Sequence, residues 1–245
     1  MRFALVLILV AAATASVAGP AFELEVEGGA FWQTKNDQQI PNSSEGTRFS
    51  LVDLVGEGPR PAYRAYLTWH INGKHSLRGL FAPLEVNDSG TPEVPLSFAG
   101  EDFAAGVESD ATYKFNSYRI TYAYLLSQGE NWRWKLGLTA KIRDARVQLT
   151  QGALTAKKDD VGFVPLLHLE ARRTLGESWY LDLDVDALAG GPGRAIDGAL
   201  KLGYAPSERW RLAAGYRTVE GGADVDEVYN FAWLHYAVGS VAVGF

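Results

Sequence analysis

The stretch that decides the fold reads Trp132-Arg-Trp-Lys-Leu-Gly-Leu-Thr-Ala-Lys-Ile-Arg143. Apolar side chains occupy every second position from Trp132 to Ile142, and mostly charged or small ones lie between them. A period of two is typical of a β-strand, whose successive side chains point to opposite faces of the sheet. One face suits lipid. The other carries more charge than the core of a soluble β-sandwich tolerates, because a buried charge without a partner is strongly disfavoured.

The same alternation recurs along the chain and predicts ten strands. A membrane-spanning barrel supplies the two environments that this pattern needs, lipid outside and a polar lumen inside, and bacterial single-chain barrels have an even number of strands. We therefore predict an all-β fold, a transmembrane antiparallel up-and-down β-barrel of about ten strands. The predicted strands cover approximately residues 22–27, 62–71, 76–86, 118–124, 132–143, 161–172, 179–187, 196–204, 210–217 and 228–245.

The predicted connections alternate in length, which is the expected asymmetry of such a barrel, with short periplasmic turns and longer extracellular loops. Three short turns lead directly into Trp132, Trp179 and Trp210, so these rings are expected at the inner membrane interface, where an amphipathic ring is well accommodated. The short turns are residues 72–74, 128–131, 175–177 and 206–208, and the long loops are approximately residues 35–60, 87–111, 147–160, 190–194 and 220–226.

The N-terminal residues predict export. Arg2 precedes an apolar run from Phe3 to Ala13, and small residues follow it, which is typical of a secretory signal peptide. Cleavage after Ala15, Ala18 or Ala21 fits equally well. The expected organisation is a signal peptide over residues 1–21 and a single barrel domain over residues 22–245.

The chain resembles bacterial outer-membrane β-barrel proteins over the whole of residues 22–245, including a last strand that ends Val241-Ala-Val-Gly-Phe245. The resemblance is architectural and identifies no subfamily. In that class the barrel assembly machinery reads a terminal aromatic residue preceded by alternating apolar residues, which implies that Phe245 is an assembly signal. The resemblance also implies localisation in the cell outer membrane, with its lipids and lipopolysaccharide as partners, and it leaves the oligomeric state open.

Composition excludes several kinds of partner and site. The formal net charge of -6 disfavours nucleic acid, because phosphate binding needs a basic surface. The chain has no cysteine, so no disulfide, thiolate metal site or cysteine nucleophile is available. We predict no cofactor, and no catalytic, cofactor-binding or metal residues.

The inward face carries acids and bases in nearly balanced numbers. A ten-stranded barrel is only slightly wider than the eight-stranded kind, whose interior is filled by side chains. The sequence therefore predicts a lumen largely filled by ion pairs, to which Glu23, Glu25, Glu27 and Arg78 contribute by parity. The predicted lumenal charge network consists of Arg64, Arg119, Arg133, Lys135, Lys141, Arg143, His168, Glu170, Arg172, Asp182, Asp184, Asp186, Asp197, Lys201, Arg211 and Arg217.

A filled lumen favours a non-enzymatic structural or surface-interaction protein. The first alternative is a narrow pore for small solutes. The second is an envelope enzyme, an outer-membrane protease or a lipid A-modifying enzyme, since the aspartates at 182, 184 and 186 face His168 on the preceding strand and could work as an acid–base pair. Against catalysis, the lumenal hydroxyl of Ser117 lies two strands from His168, roughly 10 Å away at the usual strand spacing.

The omptin-type proteases, which have ten strands, offer a further comparison. Their chemistry uses acidic residues and a histidine at the outer rim, and Asp224, Asp226 and His235 are the nearest analogue here. No motif matches, so no catalytic role is carried over.

Three residues fit the barrel poorly. His235 has the parity of a lipid-facing residue unless a bulge near Gly239 changes the phase. Pro83 and Pro165 cannot donate ladder hydrogen bonds, so each is expected at a bulge or above the membrane.

Overall fold

The computed structural model describes residues 20–191 and 193–245. They form a closed antiparallel barrel in which the first strand pairs with the last. Its wall consists of ten strand positions, here called staves. The predicted fold class is confirmed. The signal-peptide prediction falls almost wholly on residues 1–19, outside the described residues, and stays a prediction. Within the described part of the chain, no helix is long and apolar enough to cross a membrane.

The staves follow one another around the barrel in chain order, and β4 and β5 together form the third of them. Short segments between the staves add one helix, α1 (Leu51–Val55), and three short strands. The strands are β1 (Phe22–Gln39), β2 (Phe49–Ser50), β3 (Arg60–His70), β4 (His75–Ala82), β5 (Glu85–Gly90), β6 (Leu96–Phe98), β7 (Glu101–Phe103), β8 (Ser109–Gln128), β9 (Trp132–Gln151), β10 (Leu154–Thr174), β11 (Trp179–Gly190), β12 (Gly193–Tyr204), β13 (Trp210–Val225) and β14 (Val228–Gly244).

Side-chain exposure follows the alternation of the sequence. On β9, Leu138 is 63% exposed on the outside, whereas its neighbour Thr139 is 2% exposed in the lumen. The outward tryptophans at 132, 179 and 210 are exposed at the end of the barrel that carries the short turns. At the same end Phe245 stacks on Phe22, with ring centroids 6.0 Å apart. The barrel thus has an apolar outer band with an aromatic girdle, as membrane barrels do.

The strands extend further than predicted at the other end. Residues 147–160 and 220–226, expected as loops, belong almost entirely to the β9–β10 and β13–β14 hairpins. The prediction of loops there was wrong, because it relied on a contrast between an apolar and a polar face. Backbone pairing needs only a neighbouring strand, so a hairpin that projects beyond the membrane keeps its ladder after the alternation has ended.

Two longer connections fold together as a cap at this end of the barrel. The cap comprises residues 40–59, which include α1, and residues 91–108, which include the β6–β7 hairpin. Leu51, Phe98 and Phe103 are fully buried in its core, and this core is continuous with inward residues of β1, β8 and β14. The cap therefore covers one side of the mouth of the barrel.

Pro83 lies in the break between β4 and β5, in agreement with the expectation that it marks an irregularity. Pro165 lies within β10, where β10 pairs only with β9, because the β10–β11 ladder covers only Leu167–Thr174 of β10. The Thr174 N–H donates to Asn131 on the β9 side. Since donors alternate along a strand, the nitrogen of Pro165 points toward β11, where no ladder exists.

His235 faces outward as its parity indicates, without a register shift near Gly239. The shift lies instead in the partner strand β1, between Gln33 and Lys35. The shifted segment brings the Thr34 hydroxyl to 2.9 Å from His235 Nε2, and the Tyr216 hydroxyl contacts Nδ1. Both ring nitrogens therefore have hydrogen-bond partners on the outer surface of the barrel.

Replacement of Leu138 tests the lipid-facing surface. A charged side chain near the bilayer midplane costs about 2–4 kcal/mol. Leu138→Arg is therefore expected to destabilise the barrel in lipid vesicles, lowering its free energy of unfolding by that amount. Reversible urea unfolding in vesicles, followed by tryptophan fluorescence, measures the change. Leu138→Phe keeps the site apolar and serves as the control. Equal stabilities of the Arg and Phe variants would contradict a lipid-facing position.

Candidate functional site

The middle of the lumen is organised around the carboxylate of Asp197 on β12, which is 3% exposed. Arg64 on β3 and Arg119 on β8 donate to its Oδ2 from 2.7 and 2.6 Å. Arg217 on β13 donates to Oδ1 from 2.5 Å. These strands come from different sides of the barrel, so one carboxylate connects side chains across the whole lumen. We call Glu27, Arg64, Arg119, Asp186, Asp197 and Arg217 the central cluster.

Glu27 on β1, which pairs with Arg64 in the β1–β3 ladder, belongs to the same cluster. Arg217 Nε donates to Glu27 Oε1 from 2.9 Å, and Lys201 Nζ lies 3.0 Å from Oε2. Lys201 also reaches Glu25 at 2.6 Å. The hydroxyl of Tyr66 accepts from Arg217 at 3.0 Å. The Arg217 guanidinium and the Lys201 ammonium thus neutralise the Glu27 carboxylate, which is almost completely buried.

Asp186 on β11 completes the central cluster. Its Oδ2 accepts from Arg119 at 2.8 Å, while its Oδ1 accepts from the Thr139 hydroxyl at 2.7 Å and lies 2.9 Å from His168 Nδ1. All four side chains are buried. A buried carboxylate that accepts three hydrogen bonds is fully satisfied, which favours a fixed geometry over a mobile one.

Toward the short turns the ion pairs loosen around a cavity of about 120 Å³. Asp182 accepts from Arg172 at 2.5 Å, and the Arg78–Asp184 and Glu23–Arg211 pairs also line this cavity. Glu170 completes the lining between Lys135, at 3.0 Å, and Arg133, at 3.4 Å. We call this space the lower chamber. Its polar walls suit water.

On the other side of the central cluster the lumen is less completely neutralised. Arg143 pairs with Asp160 near the rim. Lys141 is 3% exposed and has no carboxylate within salt-bridge distance in the described residues. Its ammonium lies 4.7 Å from the centre of the Phe115 ring. Within residues 20–191 and 193–245, every other charged member of the predicted network contacts a group of opposite charge, and His168 contacts a carboxylate. Lys141 is therefore the exception.

Tyr66 and Thr139, two of the uncharged side chains that hydrogen-bond to the central cluster, were not among the predicted site residues. Both have inward parity in the sequence, and that signal was available. Their role as hydrogen-bond partners was not, because it depends on which charged groups meet across the lumen.

Of the residues considered for catalysis, the structure brings His168 and Asp186 within hydrogen-bonding distance, at 2.9 Å. The Ser117 hydroxyl accepts from Arg119 Nε at 2.9 Å and so is held within the charge network. Asp224 pairs with Tyr229 near the tip of the β13–β14 hairpin, whereas His235 pairs with Thr218, six positions farther down. At about 3.3 Å per residue this separates Asp224 from His235 by roughly 20 Å, so they form no acid–base pair.

The lumen beside the central cluster contains three potential metal ligands. One ligand atom from each of His168, Asp184 and Asp186 lies within 4.8 Å of the other two. The Asp184 carboxylate already contacts Arg78, and Asp186 contacts Arg119. A cation bound here would lie beside two guanidinium groups, which opposes its binding. The arrangement is explained by ion pairing.

Outside the membrane-spanning segments, Arg146 Nε donates to Asp159 Oδ1 at 2.5 Å. This hydrogen bond lowers the pKa of the Asp159 carboxyl and raises the pKa of Arg146. Both side chains are solvated, so water and salt screen the pair and its contribution to stability is small.

Replacement of Asp197 tests the central cluster. Asp197→Asn keeps the shape but leaves three buried guanidinium groups with too few negative partners. Removing one partner of a buried ion pair costs about 3–5 kcal/mol, so a marked fall in the unfolding temperature in detergent is expected. Asp159→Asn removes one partner of an exposed pair and is the matched control, with little change expected. Similar melting temperatures for both variants would show that the central cluster does not hold the barrel together.

No protein-family model matches the sequence, and no curated protein matches it. Among solved structures, the fold is similar to that of outer membrane protease OmpT from Escherichia coli, with 12% identity, a TM-score of 0.55 and coverage of 95% of this chain and 99% of that chain. The translocator domain of the autotransporter NalP from Neisseria meningitidis has 12% identity, a TM-score of 0.49 and coverage of 94% of this chain and 90% of that one. At these identities the likeness concerns the fold alone. The chain has the fold of bacterial outer-membrane β-barrel proteins.

Proposed function

We propose that the protein resides in the bacterial outer membrane as a non-enzymatic structural or surface-interaction protein whose lumen is closed by its own ion pairs. The observation that carries the proposal is the bridging of the lumen by Asp197, which binds arginines from β3, β8 and β13 at once. Short turns on the periplasmic side would place the cap and the projecting hairpins at the cell surface, in contact with lipopolysaccharide.

Closure is supported by the relation of the cavities to the central cluster. The lower chamber lies on its short-turn side, and a larger cavity lies on its long-loop side. Arg119 and Asp197 occupy the space between them. A solute crossing the lumen would have to displace paired, buried charges, and breaking one such pair is costly. A narrow pore is the alternative, and it requires this cluster to move.

The surface role rests on the cap. Its core of large apolar side chains gives residues 40–59 and 91–108 a fixed shape above the membrane. A connection that is ordered by its own core presents a defined surface, as binding loops on rigid scaffolds do.

Conductance in planar bilayers tests the closed lumen. The wild-type protein is expected to insert without steady current steps. The double substitution Arg64→Ser and Arg217→Ser removes two of the three ties to Asp197, so it is expected to produce flickering conductance. Arg146→Ser, outside the membrane, is the control and should stay silent. Uniform, ion-selective steps from the wild type would contradict closure and favour the pore.

Replacement of the terminal residue tests biogenesis and location. Phe245→Asp is expected to impair recognition by the barrel assembly machinery, leaving the protein in the periplasm for degradation. Phe245→Tyr keeps the aromatic ring and should assemble normally. Membrane fractionation combined with heat-modifiable gel migration measures assembly. Normal assembly of the Asp variant would remove Phe245 from the proposed signal.

A further inference from the structure

The barrel wall has a seam between β10 and β11. The β9–β10 ladder continues up to Leu154, whereas the β10–β11 ladder ends at the Leu167–Ala187 pair. Beyond that pair, residues 188–190 of β11 hydrogen-bond only to β12. We call the opening between residues 161–166 of β10 and residues 188–190 of β11 the seam.

The seam lies at membrane depth. Its lower end, Leu167, is paired with Leu138, which is near the middle of the outward apolar run from Trp132 to Ile142 on β9. Higher up, Phe163 is paired with Ile142 and is exposed on the outer surface. The opening therefore faces the part of the wall that the apolar outer band assigns to lipid.

The seam leads into a cavity of about 680 Å³ on the long-loop side of the central cluster. Val164, Pro165 and Leu166 line it from β10, Leu188 lines it from β11, and Ile196 lines it from β12. Leu188 has inward parity yet is 41% exposed, because β10 does not cover it. The volume falls within the roughly 300–1,000 Å³ of small-molecule pockets, and such pockets combine apolar walls with a few polar groups.

Charged side chains also line this cavity, and its acids Asp159, Asp160, Asp197, Glu220 and Glu227 are each paired with a base. Lys141 differs from the other lining bases in being almost fully buried without a carboxylate at salt-bridge distance among the described residues. It lies on β9, the strand next to the β10 edge of the seam. In the ladders it pairs with Val164 on β10 and with Arg119 on β8. Like charges in directly opposite positions repel, so Arg119 increases the need of Lys141 for an anion. The nearest acidic cluster member, Asp197, already accepts from three arginines.

We propose that this cavity binds a single-chain anionic amphiphile that enters from the bilayer through the seam. The acyl chain lies against the apolar edge residues, and the anionic headgroup pairs with Lys141. The bound anion supplies a partner that Lys141 does not find among residues 20–191 and 193–245, since a buried charge needs one. The inference deepens the proposed surface-interaction role and rests on the proposed membrane insertion for the route of entry.

Binding can be measured on purified protein, separately from conductance and localisation. The probe is dodecanoate carrying ¹³C in its carboxyl group, titrated into the protein in a non-ionic detergent, with protein-free micelles as the reference. We expect a saturable carboxylate signal absent from the reference. Lys141→Met, similar in shape and uncharged, should weaken binding at least tenfold without lowering the unfolding temperature. Lys157→Met alters an exposed lysine and should bind as the wild type does.

A second variant tests the seam without touching the charge. Leu188→Trp narrows the opening and the cavity while it keeps Lys141, so we expect weaker dodecanoate binding by a folded protein. Dodecanol, which has the same chain without the anion, should compete poorly. The proposal is overturned if the wild type gives no saturable signal, if Lys141→Met binds normally, if Leu188→Trp has no effect, or if dodecanol competes as well as unlabelled dodecanoate. Conductance of the wild type would overturn the closed lumen and leave this result standing.

Discussion

The interior of this barrel depends on the pairing of the Asp197 carboxylate with three guanidinium groups. A membrane barrel must turn its polar side chains inward, and at ten strands the interior is too narrow to give each of them a full hydration shell. Buried charges then have to neutralise one another. Because Arg64 on β3 and Arg119 on β8 reach Asp197 from the far side of the lumen, their ion pairs also fix the distance across the barrel, and charge neutrality becomes a determinant of shape.

This constraint divides the lumen into regions with different chemistry. Around Asp197 and Asp186, acids and bases are matched, and little space remains. Toward the short turns, pairs such as Arg172–Asp182 line a small polar chamber. Toward the long loops, apolar side chains increase, and Lys141 has no carboxylate at salt-bridge distance among the described residues. This buried lysine beside an apolar space is the observation on which the proposed ligand rests.

The sequence predicted those features of the fold that depend on the difference between the lipid-facing and the lumen-facing side of a strand. Leu138 and Thr139 were assigned to opposite faces because lipid and lumen select different residues, and the strand count followed from the same contrast. The contrast ends above the membrane, so the paired strands of residues 147–160 were expected to be a loop. Which side chains pair across the lumen could not be predicted from the sequence either, since Arg64 and Asp197 are 133 positions apart. The seam could not be foreseen, because it depends on where one ladder stops.

Pro165 gives the open seam a further property. A free strand edge in lipid has two disadvantages, the cost of unsatisfied backbone donors and the risk that another extended chain adds to it. At Pro165 no donor exists, and the ring occupies the position that an incoming strand would need. Pro165 therefore opposes edge-to-edge aggregation. The barrel can keep a gap in its wall without presenting a strand edge to which a neighbouring molecule could pair.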